Sequence, residues 1–574
     1  MSTTSSNSAI AGVETVRKHV GLWSRDDYTF VRFTGPDVAS WLQTQTTNDV
    51  LALQSGEGHA NALLDRKGRL QAHFTLHRWE DEYWLIVEKS QAARLLQQLD
   101  DHLFLEKVEW ADSGDEVEQL LVQGPRSLLL LGTVLGDAAV TQLPREPYAC
   151  APLELAGFQV LCFQVSVTGE DGFLLIAQAS ERQALMDALL AAGEPLRARL
   201  VDESAREALR IEAGLPRFDI DMDTNYRIPE TTLEREAVSY SKGCYLGQEV
   251  VARLKAYASP KQALMGLVFD ADARMPEFDS PIYDAGKQIG VVKSAAFSPT
   301  LSRPIALAYL DREHRAPGLE LSNGGEVVML PFYRPPSRHE RARILYEMAL
   351  ELFEHDLRDE DDTDIHFLKE AVLLDPAYED AFEALGVILH RHGHVDEAIH
   401  YMKILEALNP NCVMAHTNLS VFYVAKGMIE DAETEKAKAA VLQIRKSSEA
   451  RKAEEMAAAE RERIRREALE RIEMFKEVLE IDPDDPLATF GMGVAHIQLD
   501  EYDKAIPFLE QATRVSKDYS AAYLQLGKCL EFTKQYDLAR DAFRKGIEVA
   551  TRKGDLMPLR EMERRLNSLP VTSD

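Results

Sequence analysis

The spacing of apolar positions changes near residue 335. Upstream of that point, DYTFVRFTG, DEYWLIVE, FQVLCFQVSVTG and GFLLIAQ read as strands, because their apolar residues alternate or cluster over short spans bounded by Gly, Pro or Asp. HANALLDRKGRLQAHFTLHR reads as two strands joined around Asp65 to Gly68. Helical stretches lie between them. PDVASWLQTQTTND has Pro36 near its first turn and Asp37 at the positive end of the dipole, ERQALMDALLAAG follows the apolar strands, and ESAREALRIEA (203–213) stops at Gly214 with Pro216 just beyond. After Pro260, QALMGLVFD, SPIYDAGKQIGVVKSAAFSP and RPIALAYLD predict a small antiparallel, barrel-like domain ending near Tyr333.

From Arg338 onward the pattern is helical and repeats itself. Gly386 and Ser420, Gly493 and Gly527, Ala398 and Ala432, Ala505 and Ala539, and Pro376 and Pro410 are each 34 apart, the tetratricopeptide period. Each such repeat is a helix pair that stacks on its neighbours and leaves a concave surface for a protein partner. Pro410 and Pro483 are 73 apart, two periods plus five, so the array is interrupted. The interruption, SSEARKAEEMAAAERERIRREALERIEMF, is rich in Ala, Glu and Arg and reads as a long solvated helix laced with i,i+4 pairs; a single extended helix and a helical dimerisation element both fit it.

Composition narrows the classes. A chain of 574 residues predicts roughly three to five folding units. A net charge of −30 argues against nonspecific nucleic-acid binding, which needs cations for phosphates. The 5 cysteines are scattered with no CxxC pair, which excludes a disulfide scaffold and any obvious zinc or cluster site and predicts a reducing compartment. MSTTSSNSAI lacks a signal-like apolar run and no later run is long enough to span a membrane, so the expectation is a cytoplasmic chain with a short disordered tail at 1–19.

Chemistry concentrates in SKGCYLGQE (241–249). Cys244 lies between Gly243 and Gly247, with Lys242 two residues before it and Gln248 and Glu249 after. A thiol beside a lysine and near the start of a helix is expected to hold more thiolate; the alternative is a small buried hydrophobe. Two other groups stand out. Glu170 sits in the tight turn GEDG, which is otherwise a solvated hairpin tip, and Arg206 and Arg210 share one helix face, where surface pairing with Glu203 or Glu207 is the alternative. Asp219, Asp221, Asp223 and Glu230 match positions of a calcium loop, but Thr224 stands where that loop needs glycine, so calcium is not expected. His390 to His394, HRHGH, falls at a repeat turn with only Asp396 near at ligand spacing, so no metal is assigned.

Taken together, KGCYLGQE, TGEDGF, the Gly35 to Gln43 run followed by Thr47, Asn48 and Asp49, and the RxExG match at Arg210, Glu212 and Gly214 resemble the YgfZ family of folate-binding proteins, relatives of the aminomethyltransferase of the glycine cleavage system. The resemblance implies an α+β fold of three subdomains around a central folate site: two α+β subdomains over 20–258 and a β-barrel over 259–335. Tetratricopeptide repeats at 338–443 and 476–560, a charged helix at 444–475 and a tail at 561–574 complete the expected organisation. It further implies tetrahydrofolate as cofactor, with Glu170 on the pterin, Arg210 toward the folate, Gly243, Gln248 and Glu249 lining the site, and Cys244 as thiolate assisted by Lys242. An aminomethyltransferase proper carries an aspartate pair after the glycine of its second strand; here Gln71, Ala72, His73 and Phe74 follow Gly68, and Glu88 replaces an asparagine in the next strand. Whether the chain is an enzyme is therefore open. The leading expectation is an accessory protein of iron–sulfur cluster assembly or repair, connected to tRNA modification, whose repeats recruit a client. The alternatives are a folate-dependent one-carbon transferase, with His73 or Glu88 replacing the lost group, and a scaffold with a decayed pocket.

Overall fold

Helix α1 (Thr3–Lys18) occupies the stretch whose composition predicts a disordered tail. It is held because Val13 and Val16 face inward and are buried, a spacing invisible beside the polar run that precedes it. The computed structural model describes residues 3–136, 140–257, 260–354 and 362–569. They divide into two units, Met1–Tyr401 and Met402–Asp574.

In the first unit α1 leads to β1 (Gly21–Ser24), β2 (Tyr28–Thr34), α2 (Val38–Gln45), β3 (Gly58–Leu64), β4 (Leu70–Trp79), β5 (Glu82–Glu88), α3 (Lys89–Asp100) and β6 (Glu109–Asp112). Five of these strands form an antiparallel sheet in the order β3-β4-β5-β2-β6. Along β4 the side chains alternate. Ala72, Phe74 and Leu76 enter the core beneath α2 and α3, which leaves Gln71, His73 and Thr75 on the opposite face.

A six-stranded sheet follows, built from β7 (Val117–Gln123), β8 (Cys150–Leu155), β9 (Phe158–Gln164), β10 (Gly172–Gln178) and β11 (Arg199–Leu200), with α4 (Ser127–Leu135) and α5 (Arg182–Ala192) between them. Its order is β11-β1-β7-β10-β9-β8, and only the β1–β11 edge is parallel. Helix α6 (Glu203–Glu212) starts where the Asp202 carboxylate accepts the Ala205 amide at 2.9 Å. After α7 (Glu234–Ala237) and α8 (Gln248–Tyr257), β12 (Gln262–Val268), β13 (Pro281–Asp284), β14 (Lys287–Ser298), β15 (Arg303–Asp311) and β16 (Glu326–Val328) close a third, antiparallel sheet in the order β13-β14-β15-β12-β16. This is the expected small barrel domain. The boundary set at 258–259 lies outside the described residues.

The rest is helical: α9 (Arg338–Glu354), α10 (Thr363–Leu374), α11 (Glu379–Arg391), α12 (Val395–Leu408), α13 (Val413–Ala425), α14 (Ile429–Ile481), α15 (Pro486–Gln498), α16 (Tyr502–Val515), α17 (Ser520–Phe532), α18 (Tyr536–Lys553) and α19 (Leu556–Ser568). Two expectations change here. The segment 561–569 is mostly the end of α19 rather than a tail, because Met562 is fully buried against α18; residues 570–574 lie outside the described set. The charged segment is not a separate helix either: it is the middle of α14, which runs unbroken for 53 residues. No described helix is long and apolar enough to cross a membrane.

The 34-residue glycine period has a steric cause. A Cβ at Gly493 would lie 2.5 Å from Leu509 and one at Gly527 2.3 Å from the Phe543 ring, so only glycine lets α15 close on α16 and α17 on α18. Gly527→Val is therefore expected to destabilise the second unit by about 2 kcal/mol through overpacking, read as a lowered urea midpoint at unchanged slope.

Candidate functional site

The two α+β subdomains and the loop after α6 line a cavity of about 480 Å³. Its walls come from β2 (Tyr28), β4 (His73, Thr75), β5 (Glu88), α3 (Gln91), α6 (Arg206, Glu207, Arg210) and the loop carrying Arg217, Phe218 and Met222. That volume lies in the range of small-molecule sites.

One end of the cavity is a hydrogen-bonded chain. The Tyr28 hydroxyl donates to Glu88 Oε1 at 3.0 Å, Gln91 Nε2 donates to Glu88 Oε2 at 3.2 Å, and Gln91 Oε1 accepts the His73 amide at 2.8 Å. Burial pushes the Glu88 carboxyl above its usual range, against the pull of Tyr28 and Gln91, and pushes the Tyr28 phenol up to about 12. Burial also lowers His73 to about 4, so its imidazole is neutral at pH 7. Cations border the same chain, Arg25 and Arg217 both acting on the Glu88 carboxylate. Arg25 stacks 3.2 Å over the Tyr28 ring, and Arg206 Nε and Arg217 Nε are buried without a hydrogen-bond partner.

The residues singled out from the sequence do not converge on this cavity. Arg210 lines it, but its five N–H donors already meet Glu207 (2.9 and 2.5 Å), Leu215 O (2.6 Å), Asp221 (2.7 Å) and Ser294 (2.8 Å). Burial works against its charge, yet Glu207 and Asp221 outweigh that and raise its pKa. Glu170 is 2% exposed and lies outside the cavity wall, facing Arg17 at 3.4 Å and the Tyr333 hydroxyl. Asp221, one of the calcium-template carboxylates, is engaged by Arg210 and by the Arg217 amide.

SKGCYLGQE forms a surface segment instead. The Lys242 ammonium, 7% exposed, gives its three donors to the carbonyls of Gln43 (2.7 Å), Thr46 (2.7 Å) and Asn48 (2.8 Å). It closes the C-terminal end of α2 and has no donor left for a neighbouring thiol; burial lowers its pKa to about 8. Cys244 is exposed, and α8 begins only at Gln248, so the sulfur is not at a helix start as its spacing predicts. Gly247, at φ +84°, lets this loop approach Asp65 O, where a Cβ would lie at 2.5 Å, whereas nothing lies within 4 Å of a Cβ built on Gly243. Glu249 faces solvent and pairs with Arg253 at 3.0 Å.

Two models from one family match this half of the chain: the GCVT N-terminal domain over residues 2–242 and the glycine cleavage T-protein C-terminal barrel domain over 262–333. The chain is 31% identical over 330 residues to the aminomethyltransferase of Streptomyces coelicolor and 30% identical over 330 residues to that of Streptomyces avermitilis; each match covers 56% of this chain and 88% of the relative. The chain belongs to the glycine cleavage T-protein family. Its fold is also that of the glycine cleavage system aminomethyltransferase T from Bartonella henselae, with a TM-score of 0.50 at 23% identity over 57% of this chain and 90% of that one. Tetratricopeptide repeat models match 383–451, 466–515 and 520–552, leaving the middle of α14 unmatched.

A folate cofactor fits a T-protein cavity built this way. Arg206 and Arg217 line it as cations, Arg206 also pairing with Glu203 and donating to the Ser24 carbonyl at 3.2 Å, and Tyr28, Phe218 and Met222 supply apolar surface. Neither Arg217 nor Gln91 carried a signal in the sequence: both reach the cavity only through the fold, although Arg206 was visible as the face-mate of Arg210.

Two further histidines of β3 and β4, His59 and His77, are buried like His73. Burial lowers His59 to about 4 and His77 to about 3. Below about pH 6.5 the unfolded chain takes up protons that these folded imidazoles refuse, so stability falls as pH drops from 6.5 toward 4. His73→Gln is expected to flatten that loss by up to about 1.4 kcal/mol per pH unit, read from urea midpoints at pH 7 and 4.5.

Proposed function

We propose that this T-protein family member is a tetrahydrofolate-binding accessory protein of the YgfZ type, serving iron–sulfur cluster assembly or repair and through it tRNA modification, with its repeats recruiting a protein partner. The observation that carries this reading is the face of β4 turned into the cavity: it offers His73, neutral at pH 7, and Thr75, and no residue of β4 is a carboxylate. A pocket able to hold folate but without that group is suited to binding rather than to aminomethyl transfer. Arg206 and Arg217 would meet the glutamate carboxylates, and Glu88 with Gln91 the polar edge of the ring system. Cys244, exposed on the KGCYLGQE segment, would act on a client from outside the pocket.

A second reading, a one-carbon transferase with another acceptor, rests on Glu88: a buried carboxyl of raised pKa at the cavity end is the kind of group that moves protons near neutrality.

Calorimetric titration with mono- and polyglutamylated tetrahydrofolate separates the cases. Saturable micromolar binding is expected, weakened at least tenfold, about 1.4 kcal/mol, by Arg206→Ala or Arg217→Ala and unchanged by Glu249→Ala. No binding by the unaltered protein would sink both readings and leave the repeats as the functional half. In cells lacking the protein, Cys244→Ala is expected to bind folate normally yet fail to restore cluster-dependent enzymes; full restoration would remove the thiol from the mechanism. Methylene- or methyl-folate formed from any amine donor, and lost in Glu88→Gln, would favour the transferase.

A further inference from the structure

The second unit gathers a histidine and two carboxylates that the folate reading does not use. Glu406 near the end of α12, His416 on α13 and Glu435 on α14 bring one ligand atom each to within 4.8 Å of one another. His416 Nδ1 lies 2.6 Å from Glu435 Oε2 and 3.9 Å from Glu406 Oε1. The group is sunk between the helices: the His416 and Glu435 side chains are 4% and 10% exposed, and that of Glu406 30%.

Both nitrogens of the His416 ring face oxygen acceptors, because Nε2 lies 3.3 Å from the Pro410 carbonyl. A neutral imidazole carries one proton and satisfies one side only. With that proton on Nε2, toward Pro410, Nδ1 turns a lone pair toward two carboxylates, and the three groups together call for a cation. A backbone carbonyl that fixes the tautomer from behind is the usual support of a metal-binding histidine.

Lys438, one turn on from Glu435, supplies part of that charge. Its ammonium lies 2.8 Å from Glu435 Oε1 and 3.1 Å from Glu406 Oε1, bridging the two carboxylates. Glu435 Oε2 and the imidazole are left facing each other. The lysine side chain is 45% exposed and carried on a flexible stem, so it can yield to an ion of higher charge.

We propose that Glu406, His416 and Glu435 form a binding site for a divalent transition ion of the zinc class, with water in the fourth position. One imidazole with two carboxylates is a donor set such an ion accepts, whereas calcium and magnesium take oxygen alone. Ligand atoms of a tetrahedral zinc site stand roughly 3.4 Å apart, from bonds of about 2.1 Å, so the 2.6 and 3.9 Å separations each need a shift of less than about 1 Å. The ion joins three helices where α14 leaves the packed array, since none of the described side chains from 440 to 467 is buried. Its role there is structural: it fixes the direction in which the long helix departs.

Calorimetric titration of the full chain with zinc chloride, beside His416→Gln, Glu406→Gln and Lys438→Met, tests this. The parent is expected to bind one ion more per chain than His416→Gln, with micromolar or tighter affinity. Glu406→Gln is expected to weaken that site at least tenfold, and Lys438→Met to tighten it severalfold, because it removes the competing charge and no ligand. Cobalt(II) gives a direct readout: the visible ligand-field absorption is expected in the parent and Lys438→Met and lost in His416→Gln. Circular dichroism checks that each variant is folded, and Glu406→Gln and Lys438→Met, at partly exposed positions, decide the matter should His416→Gln unfold. Equal binding by the parent and His416→Gln would put the ion elsewhere. No saturable binding, or binding indifferent to Glu406→Gln or to Lys438→Met, would make the cluster a network of ion pairs closed by the lysine; each of these outcomes overturns the proposal.

Discussion

Arg17 brings a guanidinium to a position where its side chain is 8% exposed, and the N-terminal unit is arranged around pairing that charge. It contacts Glu212 at 2.6 Å, Glu170 at 3.4 Å and the Thr168 carbonyl at 2.9 Å, and lies 3.9 Å over the Tyr333 ring. An unpaired buried charge is expensive enough that each partner must be held in place. Four parts of the chain therefore meet at one point: α1, the GEDG turn, the end of α6, and the segment leaving the barrel. Glu212 also accepts from the Thr300 hydroxyl at 2.8 Å and from the Ser298 hydroxyl, which draws in the end of β14 and the turn after it. The neighbouring Asp171 takes Arg338 at 3.0 Å and also Arg341, so the same turn anchors the first helix after the barrel.

The cavity inherits its chemistry from this arrangement. Arg210 does for the acidic loop what Arg17 does for the turn, joining α6 to Asp221 and to Ser294 of the barrel. Charges within the conspicuous motifs are thereby committed to the frame. The groups left to line the cavity are less conspicuous: Arg217, the neutral His73 and the Tyr28–Glu88–Gln91 chain. A preorganised pocket needs such a split, because side chains that hold subdomains together are not free to rearrange around a guest.

The repeats obey a different constraint. Each helix pair buries only part of its apolar surface, and the remainder depends on a neighbour. Glycines at a fixed period set how closely the two helices of a pair approach, so the array is specified locally, residue by residue. The interruption of the array along α14 removes a neighbour on both sides at once, and Val421 and Val424 are left half exposed.

Much of the fold was legible from the sequence because it rests on local rules. Period two along β4, period 3.6 after residue 338, the 34-residue spacing and the barrel-like run of strands each act over a few residues, and each element formed where its pattern lies. The family likeness carried by KGCYLGQE, TGEDGF and RxExG was legible for the same reason. The tail expected at 1–19 was misjudged because α1 is stabilised by partners far along the chain, Ala205 of α6 and Glu212 among them. The candidate site was legible in its vicinity rather than in its contacts. Sequence determined that an arginine, a lysine, a cysteine and several carboxylates would gather near α6 and the KGCYLGQE segment. Only the tertiary structure decided that Lys242 would close α2, that Glu170 would be buried against Arg17, and that Arg206 and Arg217 would keep unpartnered donors, because the pairing of buried charges depends on which groups the packed subdomains bring within hydrogen-bonding distance.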